Sequence, residues 1–234
     1  MRGVVTARDR WVVQFVGAHP WVVSEHVRRF LSLESRRAVL HVSSQVARRR
    51  LAVLVGYGLL AHGLLRLFGT PLSAYWLTPR GALFVGQDAA LAGGVDIRQL
   101  QHDAAVADVH VALLSQGARQ IWTSRTLASA RARGVLPEGM LAQLGGRQVH
   151  IPDLVATLPD GRRVAYEVEM SRKSPRRLAD IMRSYRLARG LDEVVYLTPV
   201  EARARAIAMA AHGVSKVRVE RLGDMIPIRS WPPI

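Results

Sequence analysis

The chain has no cysteine. Disulfides, zinc–thiolate centres and cysteine nucleophiles are therefore excluded, and redox chemistry does not fix a compartment. Lysine is almost missing too: of 33 basic residues, only Lys173 and Lys216 are lysines. Acids are scarce, 18 in all, so the formal charge is +15 and the pI is near 11.5. That imbalance favours phosphate polyanions or anionic surfaces as partners. The guanidinium fork suits phosphates and guanine edges; the same preference for arginine also follows from a GC-rich genome. A long apolar run is lacking. The most apolar stretch, residues 51–68, is short for a bilayer and carries Gly56, Gly58, His62, Gly63 and Arg66. It reads better as a helix end followed by a strand than as a membrane span. Up to Asp9 there is no apolar core of a secretory signal. The expectation is a cytoplasmic protein with no membrane partner. No internal repeat or low-complexity tract is present, and 49% hydrophobic content over 234 residues can bury one large core or two modest ones.

The most informative stretch is 149–173. Two alternating apolar runs flank Pro159-Asp160-Gly161, a preset φ, an Asx side chain and a residue tolerant of positive φ, so the segment reads as a β-hairpin. Glu167 and Glu169, two apart on a strand, share a face. A three-residue loop sets Asp153 opposite Glu167 and Ile151 opposite Glu169, with Leu154 on Tyr166, Ala156 on Val164 and Pro152 on Val168 as an apolar reverse face. A two-residue loop would send Asp153 to that apolar face instead. Three crowded carboxylates repel unless a cation or shared protons intervene, and hard oxygen ligands suit Mg²⁺ or Mn²⁺. The alternative is an inert patch paired with Arg172, Arg176 or Arg177.

Residues 1–86 hold 12 arginines and three acids. Their pattern predicts a helix capped by Asp9, a second opened by Ser24, and a third from Ser43-Ser44 to Gly56-Tyr57-Gly58. Strands follow at 59–67 and 74–77, around Phe68-Gly69-Thr70-Pro71. Three short helices closed by a hairpin make a winged helix-turn-helix, with the third as recognition helix. Early residues of such a helix meet base edges, which selects Ser44, Gln45, Arg48, Arg49 and Arg50, with Arg66 on the wing. Were the helix to begin near Ser35 instead, Arg37 and His41 would join the DNA-facing set. A helical protein-docking domain with solvated arginines is the other reading. Trp11, Trp21, Tyr57 and Trp76 read as packing groups.

Residues 87–101 show little periodicity and are assigned as a linker. Beyond it the pattern predicts a helix over 102–114, a strand over 120–123, an arginine-rich variable segment, the hairpin, a helix opened by Pro175, a strand over 193–197, a helix over 201–211 and a strand over 216–221. The fold class expected is α+β, with a second domain over 102–234.

Pro152-Asp153 and Glu167-Val168 resemble the signature of the PD-(D/E)XK nuclease superfamily, Pro-Asp on one strand and Glu-x-Lys on the next. The α-β-β-β-α-β order of residues 102–234 matches the restriction-endonuclease-like core. Glu169 stands where that superfamily has its lysine, and the nearest lysine is Lys173. Nearly the whole chain resembles the replication-relaxation family of actinobacterial plasmids and mobile elements. The resemblance lies in 75–81 (Tyr-Trp-Leu-Thr-Pro-Arg-Gly), Leu100-Gln101-His102-Asp103 with Val106-Ala107-Asp108-Val109, Ile121-Trp122-Thr123-Ser124, Ile151-Pro152-Asp153 and Glu167-Val168-Glu169. After Trp-x-Ser that family tends to have an acid, where this chain has Arg125. The resemblance implies an amino-terminal winged helix joined to a nuclease-like domain, binding double-stranded DNA without a cofactor. It implies a role in control of replication, transfer or transcription of a mobile element, with plasmid replication or transfer proteins as partners; whether two copies bind together as a homodimer is left open, to be read from the symmetry of a footprint. The alternative is a DNA endonuclease or nicking factor in which Asp153, Glu167 and Glu169 hold Mg²⁺ or Mn²⁺ and Lys173 orients the attacking water.

Overall fold

The structure is a computed structural model that describes residues 5–34, 42–67, 69–89, 92, 93, 95–137, 139–143 and 149–226. The fold is mixed α and β, and the chain divides into two compact units, residues 1–111 and 112–234. Among the described residues no helix is long and apolar enough to cross a membrane.

The first unit runs α1 (Ala7–Ala18), β1 (Val22–Val23), α2 (Ser24–Glu34), α3 (Ser44–Gly56), β2 (Leu60–Leu67), β3 (Thr70–Leu77), α4 (Pro79–Val85), a 3₁₀ turn at Ile97–Gln99, and α5 (Leu100–Ser115) as far as Val111. Thr6, not Asp9, caps α1. Asp9 is the third helical residue, and its carboxylate accepts from the Thr6 backbone N–H at 2.6 Å while the Thr6 hydroxyl accepts from Asp9 N–H. Ser43, extended at φ −74° and ψ 156°, caps α3 through Val46 N–H. An extended Ser43 ends any continuous helix running back towards Ser35. Residues 35–41, with Arg37 and His41, and Phe68 lie outside the described residues.

β2 and β3 pair from Leu60 with Leu77 to Leu67 with Thr70, and Gly69 takes a φ of +77° at the tip. β1 joins the far side of β3. Val12, Val16, Trp21, Val27, Leu51, Leu54 and Leu60 are buried beneath these elements, which supplies the apolar stabilisation of the unit. Trp21 is a core residue as expected, whereas Trp11 is 44% exposed.

Two polar contacts tie the first turns of α5 into this unit. Asp108 accepts from Arg29 of α2 and lies 3.5 Å from His26 Nε2. His110 Nδ1 and His19 Nε2 share a hydrogen bond of 2.9 Å, with Phe15 edge-on to both rings. The division between units thus falls inside α5, beyond the 87–101 stretch assigned from sequence as a linker.

The second unit runs β4 (Gln120–Thr123), α6 (Ser124–Ala132), β5 (Ala142–Gln143), β6 (Val149–His150), β7 (Leu154–Thr157), β8 (Arg163–Val168), α7 (Pro175–Leu187), β9 (Glu193–Thr198), α8 (Glu201–Ala210), β10 (Val217–Arg221) and α9 (Leu222–Met225). Five strands form one sheet in the order β10-β9-β8-β7-β4, parallel from β10 to β8 and antiparallel beyond. Helices α7 and α8 make the crossovers that parallel neighbours require. The arginine-rich segment after β4 contains α6, whose start is fixed by reciprocal Thr123 and Thr126 capping contacts.

The hairpin has the three-residue loop. Leu158 N–H bonds Arg162 O, Gly161 has φ +91°, and Leu154 pairs with Tyr166 and Ala156 with Val164. Helix α7 covers the face that carries Glu167. Ala165 and Tyr196, on the same side as Glu167, pack with Leu178, Ile181, Met182 and Tyr185 of α7 in one buried cluster.

Two outcomes test these contacts. A Cβ on Gly81, at the start of α4, would lie 2.0 Å from Leu59 O, whereas one on Gly56 meets nothing within 4 Å. Gly81→Ala should lower unfolding free energy by about 1–3 kcal/mol, while Gly56→Ala should be neutral or slightly stabilising, read from urea midpoints. Burial depresses the His110 pKa from 6.5 to about 3. The folded chain keeps this ring neutral while the unfolded chain takes up a proton, so its contribution is full above pH 6.5. It declines by up to about 1.4 kcal/mol per unit as pH falls towards 3. His110→Asn, which cannot protonate, should flatten the loss between pH 6.5 and 5 in urea titrations.

Candidate functional site

One candidate is the outer face of α3. Ala47, Leu51 and Leu54 are fully buried, which turns Ser44, Gln45, Arg48 and Arg49 outward, all of them exposed. Among the described residues, Arg48 and Arg49 make no side-chain hydrogen bond or ion pair. Arg50 is placed differently. Its guanidinium grips both carboxylate oxygens of Asp9, a residue with no solvent exposure, so it pins α3 to α1 instead of facing outward with Arg48 and Arg49.

Arg66 is exposed on β2, on the same side as His62 and the 74% exposed Leu64. His62 faces Tyr75 across the hairpin with ring centroids 4.9 Å apart. Burial raises the Tyr75 pKa, and the positive charge of Arg48 opposes that rise. Trp76 packs where a side chain on Gly63 would intrude.

The second candidate is the acid set. Continuing the β7–β8 register past Leu154 and Tyr166 brings Asp153 level with Glu167, as the three-residue loop required. Asp153 Oδ2 accepts from Val168 N–H at 2.8 Å. Glu167, 4% exposed, accepts at Oε1 from His150 Nε2–H at 2.6 Å and from the Tyr185 hydroxyl. Glu169, 3% exposed, is paired at Oε2 with the Lys173 ammonium, and its Oε1 faces Ser171 N–H at 3.3 Å. For Glu169 the cation partner is thus Lys173, and not one of the arginines at 172, 176 and 177.

Burial drives the phenols of Tyr185 and Tyr196 well above their ordinary pKa. The negative charges add to this, Glu167 first in each case and Asp153 and Glu169 also acting on Tyr196. Both phenols remain neutral donors. Tyr185 uses its hydroxyl on Glu167, whereas the buried Tyr196 hydroxyl has no hydrogen-bond partner among the described residues.

The metal expectation meets an obstacle here. The carboxylate oxygens already face an amide, an imidazole, a phenol and an ammonium. Among the described residues no three His, Asp or Glu side chains are placed to hold one ion. As arranged, the set does not fit Mg²⁺ or Mn²⁺, which demand several convergent oxygens.

His150, Tyr185 and Tyr196 were not singled out from sequence. Tyr185 lies on the apolar stripe of α7, where nothing distinguishes a hydroxyl aimed at a carboxylate from a ring that only packs.

A model of the replication-relaxation family matches residues 13–193. The chain belongs to that family. Comparison with curated proteins found no match, and neither did comparison with solved structures. For this replication-relaxation protein the matched region takes in α3, the β2–β3 hairpin and all three acids, and ends at the first residue of β9.

Asp9→Ala should strip Arg50 of its partner and remove the α1 capping box, costing about 3 kcal/mol in urea unfolding. Arg48→Ala should stay within about 0.5 kcal/mol of wild type in the same measurement.

Proposed function

We propose that this protein binds double-stranded DNA and acts in control of replication, transfer or transcription of a plasmid or other mobile element. In this reading residues 1–86 carry a winged helix-turn-helix, with α3 as the recognition helix and β2–β3 as the wing. The observation that carries it is the two-sided nature of α3: one side is fully buried, and the other offers two arginines and two polar groups, the arginines paired with no acid among the described residues. Side chains of that kind reach phosphates and base edges alike. Arg66 on the hairpin extends the cationic surface, and the name of the family agrees with a role in replication or DNA relaxation. Binding of this kind needs no cofactor.

The second unit is read as a restriction-endonuclease-like, PD-(D/E)XK-type domain. The strand register that sets Asp153 level with Glu167 supports that kinship. Its carboxylates are engaged by protein donors, and Glu169 replaces the superfamily lysine, so the binding reading is favoured over the nicking or cleaving one.

The test is a salt series of fluorescence anisotropy on a labelled 30-base-pair duplex, followed by footprinting on the DNA of the host element. Arg48→Ala and Arg49→Ala should each weaken binding and, where the lost contact is to phosphate, lower the slope of log K against log salt by about 0.9. Affinity unchanged across the series in both variants refutes the assignment. A symmetric footprint identifies a dimer through its half-site spacing. Supercoiled DNA incubated with the protein and Mg²⁺ or Mn²⁺ should stay intact. Cleavage lost in both Asp153→Ala and Glu167→Ala would establish the endonuclease instead.

A further inference from the structure

Helix α7 turns Arg176, Arg177, Arg183 and Arg186 outward. The flank of α8 that lines a groove with α7 departs from this pattern. It presents Ala202, Ala206, Met209 and Ala210, of which Met209 is 79% exposed, and α7 contributes Leu178 and the exposed Ala179. The groove has a volume of about 680 Å³, with the buried Leu178 and Ile207 as its floor and Val200, 36% exposed, at the start of α8. Apolar side chains gathered in a concave site, unlike ones scattered singly, mark an interaction surface. Positions 202, 206, 209 and 210 recur at helical spacing, so the apolar wall runs along about two turns of α8.

Polar groups occupy one end, where α7 and α8 begin. Arg172 is exposed there and pairs with no acid among the described residues. Arg203 donates through Nη1 to the main-chain oxygen of Glu169 at 3.1 Å, a neutral acceptor that leaves its charge uncompensated. Lys173, at the same end, is spent on the Glu169 carboxylate. No side chain caps α8, so the partial positive charge of its first turn favours an acid as well. The complement to this site is an apolar surface that ends in a carboxylate. Duplex DNA brings charge but no aliphatic side chains for the floor. A second copy of this chain, at +15, meets the rim with like charge, and residues 227–234 carry Arg229 and no acid.

We infer that the groove between α7 and α8 docks an amphipathic helix of another protein, which sets an Asp or Glu against Arg172 and Arg203 and aliphatic side chains at i, i+3 or i+4 and i+7 over Leu178, Ile207 and Met209. The groove lies in the second unit and α3 in the first, and the inference is independent of the DNA-binding reading because its primary readout contains no DNA.

The test pans a phage-displayed library of random peptides of about 16 residues, roughly four helical turns, on the full chain. Enriched peptides are then synthesised, labelled and measured by fluorescence anisotropy. They should share the apolar spacing and carry an acid at one end. Ala206→Glu and Met209→Glu, at exposed positions where the urea midpoint should hold, should each weaken binding about tenfold or more, because each places an unpaired charge under the apolar face. Either variant decides the matter if the other does not fold. Arg172→Ala should weaken binding about two- to fivefold at low salt and less at high salt. The inference fails if no peptide is enriched, if the enriched peptides lack acids, or if they bind a folded glutamate variant as tightly as wild type. A dimer in sedimentation that either glutamate variant dissociates makes the occupant a second copy, and duplex DNA that displaces the peptide from wild type makes it DNA; each overturns the inference.

Discussion

A carboxylate leaves water only when something replaces its hydration, and this chain repeatedly uses that requirement to join its elements. Asp9, without solvent exposure, fastens α1 to α3 through Arg50. Asp108 fastens α5 to α2 through Arg29. Glu167 draws His150 of β6 and Tyr185 of α7 onto β8, and Glu169 holds the segment after β8 through Lys173. Breaking any one of these leaves an uncompensated buried charge, a larger loss than that of a pair on the surface.

The same economy shapes the outside. Among the described residues Asp9, Asp103, Asp108, Glu167 and Glu169 are buried, and surface acids such as Glu25, Asp160, Asp180 and Glu201 each pair with an arginine nearby. The strong positive charge is therefore a matter of placement as well as composition. It emerges on Arg48 and Arg49 of α3 and on Arg66 of the hairpin, which pair with no acid among the described residues, while Arg50, next in sequence, is withdrawn into the scaffold. Two adjacent arginines thus have opposite employments because a helix turns about 100° per residue.

What could be read from residues alone was what local chemistry decides. Ser43 before a polar turn sets the start of α3, and Pro159-Asp160-Gly161 sets a three-residue loop and with it the register that levels Asp153 with Glu167. Tertiary partners were hidden. Asp9 has the side chain of a cap, but Thr6 took that place once Asp9 was needed by Arg50 as well as by Thr6. The short helices α4 and α6 are written in few residues, and arginines concealed the second. The histidine pair of His19 and His110 is separated by 91 positions, a contact no spacing rule reaches. The acids were legible as a group, but their burial was not, because the stripe of α7 that covers them reads only as core.

The order of strands has a further consequence for how the second sheet assembles. β7 and β8 are joined by three loop residues, whereas β9 reaches β8 only across α7, and β4 reaches β7 only across α6 and the β5–β6 ribbon. The entropy lost on closing a loop grows with its length, and non-local pairings are slow to form. The contact that brings Asp153 level with Glu167 is therefore the least costly in the sheet for the unfolded chain to make. Like charges are forced together at the start of assembly, and the groups that reconcile them, Tyr185 and Lys173, arrive from the segment that follows.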